Sequence, residues 1–218
     1  MDRQKKAMEY MNNKKYEKAV ELLQAVIEEK PNDPIGYINL GNVLILLQDY
    51  EHAEVFLKRA IELDKEAATA YYGLGNLFYE QEFYQAAQKN FQKAIHLGLE
   101  EADAYFMLGM TFRNQGHEKL AFPYLFRAVE LKPEDVDMLF QYGLSLGKME
   151  MIDQAKITFL KVLELDEKHS DAHYNLGIIE TFHEKLEQAK KHFERALEIQ
   201  PDHLLAANGK EKIDRQLS

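Results

Sequence analysis

YINLGNVLILLQDYEHAEVFLKRAIELD, from Tyr37 to Asp64, is the stretch that decides the fold. In its first half Tyr37, Leu40, Gly41 and Leu44 are spaced i, i+3, i+4, i+7; in its second half Ala53, Leu57 and Ala60 are spaced i, i+4, i+7. Such spacing lines residues up on one face of a helix, whereas a strand would alternate. The stretch predicts two helices, A from about Pro34 to Leu47 and B from about Tyr50 to Leu63.

The same columns return along the chain. Alanine recurs every 34 residues, at Ala19, Ala53, Ala87, Ala121, Ala155 and Ala189. Glycine recurs with the same step at Gly41, Gly75, Gly109, Gly143 and Gly177, with Ala7 in the matching place of the first unit. Four residues after each alanine stand Leu23, Leu57, Phe91, Leu125, Phe159 and Phe193. A mid-helix glycine costs about 0.5–1 kcal/mol relative to alanine. A whole column of them implies that helix A must approach helix B closely. Pro31-Asn32-Asp33-Pro34, Lys132-Pro133-Glu134-Asp135 and Gln200-Pro201-Asp202 mark seams between units.

Tyr37, Leu40-Gly41, Leu44, Ala53, Leu57 and Ala60, and in the next unit Tyr71, Leu74-Gly75, Phe78, Ala87, Phe91 and Ala94, fill the places of a known motif. The unit resembles the tetratricopeptide repeat, and the resemblance covers essentially the whole chain. The repeat's closing proline is present as Pro31, Pro133 and Pro201 but replaced by Lys65, Leu99 and Glu167. His173 and Glu180 stand where an aromatic and an apolar residue are usual, so the sixth unit is expected to start with looser packing.

The resemblance implies an all-α, right-handed superhelical solenoid forming a single domain over residues 1–218. Its six helix-turn-helix repeats would fall at about 1–33, 34–67, 68–101, 102–135, 136–169 and 170–203. The first repeat carries Arg3 and Lys6 where later units have aromatic residues or leucine, as suits a terminal unit with one face in water. After Pro201, Leu204, Leu205, Ile213 and Leu217 among charged residues predict a capping helix over about 204–217 that covers unit six.

Composition narrows the function. The chain of 218 residues is 46% hydrophobic and 11% aromatic, which suits an ordered core. Its net charge of -10 gives no general attraction for a phosphate backbone, so nucleic acid is not an expected partner. With no cysteine there is no disulfide, thiol chemistry or cysteine zinc site. The longest apolar run, Val43 to Leu47, is far too short for a membrane span. The basic N-terminus has no apolar stretch behind it, so a cytoplasmic location is expected.

No enzyme signature emerges. His183-Glu184 opens like a zinc-protease motif, but Lys185, Leu186 and Glu187 follow with no second histidine. His169 and His173 are four apart, yet one falls at a seam and the other in a core column. Gly73-Leu74-Gly75 lacks the third glycine of a dinucleotide fingerprint. The expectation is no catalytic residue, no metal and no cofactor.

In relatives of this kind the A helices line a concave groove that holds a peptide or a partner helix. Helical phase places three positions of each A helix on one stripe: three before, one after and four after the glycine. That stripe nominates Ile38, Asn42, Ile45, Tyr72, Asn76, Tyr79, Phe106, Met110, Arg113, Phe140, Leu144, Tyr174 and Ile178 as peptide-binding residues, on a face expected to lie away from helix B. Asn42 and Asn76 could hydrogen-bond a peptide backbone. At the edge, six before the glycine, stand Asp103, Asp137 and Asp171. Chaperone adaptors of this family clamp a C-terminal carboxylate with Lys and Arg. Here three aspartates and a stripe without lysine argue against such a clamp and for an apolar partner segment bearing basic residues. The alternative is a structural subunit that self-assembles or docks through its convex face.

Overall fold

A computed structural model describes residues 3–217 and contains only α-helices among them. They are α1 (Arg3–Asn12), α2 (Tyr16–Glu29), α3 (Pro34–Leu46), α4 (Tyr50–Leu63), α5 (Ala68–Glu80), α6 (Tyr84–His96) and α7 (Ala102–Asn114). After them come α8 (Glu118–Leu131), α9 (Val136–Lys148), α10 (Ile152–Leu165), α11 (Ser170–Phe182), α12 (Leu186–Ile199) and α13 (Leu204–Leu217). Odd-numbered helices hold the A position and even-numbered helices the B position. The helices cluster into two compact units, one ending at His117 and one beginning at Glu118. The boundary in the chain falls between α7 and α8, inside the fourth repeat.

Within each unit every helix packs on its chain neighbours. In the first, α1–α2, α3–α4 and α5–α6 form the intrarepeat pairs, and α2–α3, α4–α5 and α6–α7 join the repeats. In the second, α9–α10 and α11–α12 are the complete pairs, joined through α8–α9, α10–α11 and α12–α13.

The 34-residue step has a packing cause. The B-helix alanines Ala19, Ala53, Ala87, Ala121, Ala155 and Ala189 are fully buried, as are the anchors Leu23, Leu57 and Phe91. Leu57, Phe91, Phe159 and Phe193 each lie across an A-helix glycine. A Cβ built on Gly75 would sit 2.5 Å from Phe91, and one on Gly177 would sit 2.6 Å from Phe193. No side chain fits there, so the glycine cost is offset by contact between backbone and ring.

The A-to-B turns also repeat. Lys14, Gln48, Glu82, Gly116, Glu150 and Glu184 have φ of 56°, 60°, 61°, 78°, 61° and 59°. The next amide reaches back five residues, as in Lys15 N to Tyr10 O at 2.8 Å and Asp49 N to Leu44 O at 2.9 Å. This left-handed cap satisfies carbonyls that the helix end leaves open. Only Gly116 has the residue type such a φ favours.

The terminal helix α13 covers the sixth repeat as expected, but not through the leucines at its start. Its buried residues are Ala206 and Ile213, whereas Leu204 and Leu205 are exposed. The helix lies on α12 and α11 as the next A helix would, and Gly209 takes the place of Gly73, with its Cβ position 2.8 Å from Phe193. Asp214 pairs with Lys190 of α12 at 2.6 Å and Lys210 with Glu194 of α12 at 3.7 Å.

Candidate peptide-binding faces

In the first unit the A helices α1, α3, α5 and α7 present one face. On it Asn42, Ile45 and Asn76 line a depression of about 310 Å³, together with Met11, Leu46, Glu80 and Met107. Gly73 positions its centre: a Cβ there would lie 2.8 Å from the Asn42 Oδ1 and 2.7 Å from Leu57, so α5 closes on α3 only because that atom is missing. The Asn76 amide beside the Tyr72 hydroxyl works against the rise that burial imposes on that phenol. Asn114 donates to the Tyr79 hydroxyl oxygen at 3.0 Å. Burial pushes both phenols above their ordinary range, with Asp103 and Glu101 adding to the rise at Tyr72. Both therefore stay neutral hydroxyls. Phe106, Met110 and Arg113 are half-buried on α7, and the Arg113 Nη1 points at the Met110 sulfur at 3.7 Å.

Two residues nominated from the stripe are not offered to a ligand as expected. Ile38 is buried against Ala60, Ala67 and Ala70, and Ile45 is 9% exposed and packs in the first core, so it is only part of the floor. The aromatic stripe also does not lie apart from helix B. Tyr72 rests on Phe91 at 5.7 Å between ring centres, Phe140 on Phe159 at 5.7 Å and Tyr174 on Phe193 at 6.0 Å. Side chains of helix A lean toward their own N-terminus and reach the flank of the anchor ring, which spacing alone does not reveal.

In the second unit Phe140 and Leu144 are half-buried on α9. Tyr174 and Ile178 meet residues of α13. With Thr181, Leu205, Asn208, Lys212 and Gln216 they border a groove of about 340 Å³ floored by Phe193 and Ile213. The sequence reading missed Asn208 and Lys212. One further step of 34 from Tyr174 and Ile178 arrives at them, a signal available once α13 is treated as an A helix rather than a cap. Lys212 thus brings a lysine onto a stripe that has none in the six repeats.

The aspartate edge divides. Asp137 is exposed and Asp103 half-buried. Asp171 accepts from His203 Nε2 at 3.1 Å. His203 Nδ1 accepts from the Ala206 amide at 3.2 Å, which fixes the proton on Nε2. His203 and His169 both cap A helices and stack on stripe aromatics, Tyr174 and Phe140, at 5.2 and 4.5 Å. Among the described residues no three His, Asp or Glu side chains converge as a metal site, and no helix is long and apolar enough to cross a membrane.

Comparison with known proteins gives the arrangement its relatives. Family models described as tetratricopeptide repeat match residues 3–33, 72–136, 136–169 and 170–203, and one described as TPR repeat matches 41–82. No curated protein sequence matches. Among solved structures, YrrB, "a TPR protein with an unusual peptide-binding site", is 42% identical, with a TM-score of 0.79 over 87% of this chain and 97% of YrrB. The structure of pilF from Pseudomonas aeruginosa has a TM-score of 0.85 at 16% identity over 96% of both chains. MamA has a TM-score of 0.69 at 21% identity over 77% of this chain and 92% of its own. With 34-residue helix pairs, glycines seated under B-helix anchors and a relative this similar over nearly its full length, the chain belongs to the tetratricopeptide repeat family.

Proposed function

We propose that the protein is a scaffold that binds a segment of a partner protein on its A-helix faces. The observation that carries this reading is the depression in the first unit, where Asn42 and Asn76, one repeat apart, border the same apolar hollow. Two amides at that spacing can each give and accept a hydrogen bond along a peptide backbone, while Met11, Ile45 and Met107 receive apolar side chains. The similarity to YrrB, a peptide-binding protein by its description, supports the same conclusion. An apolar partner segment with basic residues suits Asp137 and the acidic surface; no carboxylate clamp is proposed.

A peptide library displayed on phage and selected on the whole protein tests the reading. Selected peptides should lose about tenfold or more in affinity to Asn42→Ala/Asn76→Ala, the scale of two lost hydrogen bonds, with an unchanged thermal midpoint. Equal binding to the variant would move the site elsewhere.

One observation favours docking through the B-helix face of the second unit. Phe126, Ile157 and Leu160 are 44%, 68% and 41% exposed there. The flanking repeats put Gln92, Lys191 and Glu194 at those columns. Partners retained by the asparagine variant but lost by Ile157→Lys/Leu160→Glu would assign the interaction to that face.

A further inference from the structure

The sixth repeat holds a cluster of titratable groups that the binding faces do not use. His173 on α11 and His192 on α12 approach each other with Nδ1 atoms 3.2 Å apart and ring centres 5.5 Å apart. One ring must donate and the other accept, so this contact exists only while at most one of the two carries a second proton. On the flank, Lys156 of α10 meets the buried carboxylate of Glu180 of α11 at 2.5 Å, and that carboxylate is 3% exposed.

We propose that the His173–His192 contact is an acid-sensitive clasp, whose protonation separates α12 from α11 and opens the sixth repeat. The charged groups around it do not rescue a doubly protonated pair. Arg195 of α12 and Lys156 of α10 oppose positive charge on the rings, while Glu167 at the α10–α11 seam and Glu180 favour it. Each of those acids is already engaged by one of those bases, Glu167 by Arg195 at 3.6 Å and Glu180 by Lys156. What remains is burial of both rings and their mutual repulsion.

Both imidazoles are accordingly held below the ordinary histidine range, first by burial. A histidine depressed in the fold binds its proton more tightly when unfolded. The clasp is therefore complete above the unfolded value near 6.5 and weakens as pH falls below it, until the folded rings themselves titrate. The effect does not depend on what the A-helix faces bind.

Hydrogen exchange of the α12 amides at pH 7.5 and 5.5, corrected for intrinsic exchange, tests the clasp on the whole protein. Protection should fall by about tenfold for each ring that stays neutral in the fold at the lower pH. His173→Tyr/His192→Phe, which installs the residues of Tyr37 and Phe56 in the second repeat, should remove that fall and leave only the contribution of the remaining histidines. An equal fall in the variant, or none in the wild type, overturns the proposal. NMR titration of the two imidazoles in the wild type gives the second reading without any variant: titration at or above the ordinary histidine value also overturns it.

Discussion

The second and sixth repeats have the same skeleton and different interiors. In the second, Tyr37 of α3 lies against Phe56 of α4 at 6.3 Å and 36°, and its hydroxyl donates to the Pro31 carbonyl at 3.0 Å. In the sixth, His173 and His192 occupy the same columns at 5.5 Å and 38°. Leu44 is buried in one and Glu180 in the other. Val20, packed at the first core, corresponds to Lys156. Ring pairs of nearly the same tilt, one apolar and one titratable, show that the glycine-and-anchor contact sets the interhelix geometry. The residues around that contact decide what the repeat responds to.

The largest test of this contrast is Lys156→Met, which leaves the Glu180 carboxylate buried without its cation. It should cost about 3–5 kcal/mol in urea unfolding of the whole chain, and a loss under 1 kcal/mol would mean that Glu180 is not held by Lys156. Next, Gly41→Leu and Gly177→Leu should each cost about 1–3 kcal/mol, because added atoms meet Leu57 or Phe193 at 2.6 Å. Similar losses would show a shared skeleton; a loss confined to one repeat would break the comparison. Lys156→Val/Glu180→Leu copies the apolar solution into the second unit, and stability at pH 7 should hold or rise by about 1 kcal/mol or more. Leu205→Ser removes an exposed side chain and should change stability by no more than about 0.5 kcal/mol, while weakening any peptide seated between α11 and α13.

The helical repeat was legible because packing writes it at fixed intervals. Helix A of the second repeat, expected over about Pro34 to Leu47, runs Pro34–Leu46, and helix B runs Tyr50–Leu63. The terminal helix falls at Leu204–Leu217. The face was less legible, since a stripe drawn from phase alone treats every member alike. Ile38 is enclosed by the small residues Ala60, Ala67 and Ala70, whereas Asn42 stays open beside Gly73. Charges were hardest to read. Glu180 suggested loose packing, but its partner lies 24 residues away on another helix, and the His203 partner of Asp171 lies 32 residues on, at the far end of the same repeat.

The six left-handed turn residues bear on heat resistance. Five of them are lysine, glutamine or glutamate at a φ near 60°, a conformation that costs a side-chain-bearing residue about 1 kcal/mol relative to glycine. One such residue sits in five of the six turns from A to B, so these costs accumulate along the chain instead of concentrating at one weak point. A protein selected only to stay above a threshold can carry them indefinitely. The molecule therefore melts below the ceiling its own packing would permit, and its unused thermal reserve is spread over five surface turns, remote from both cores.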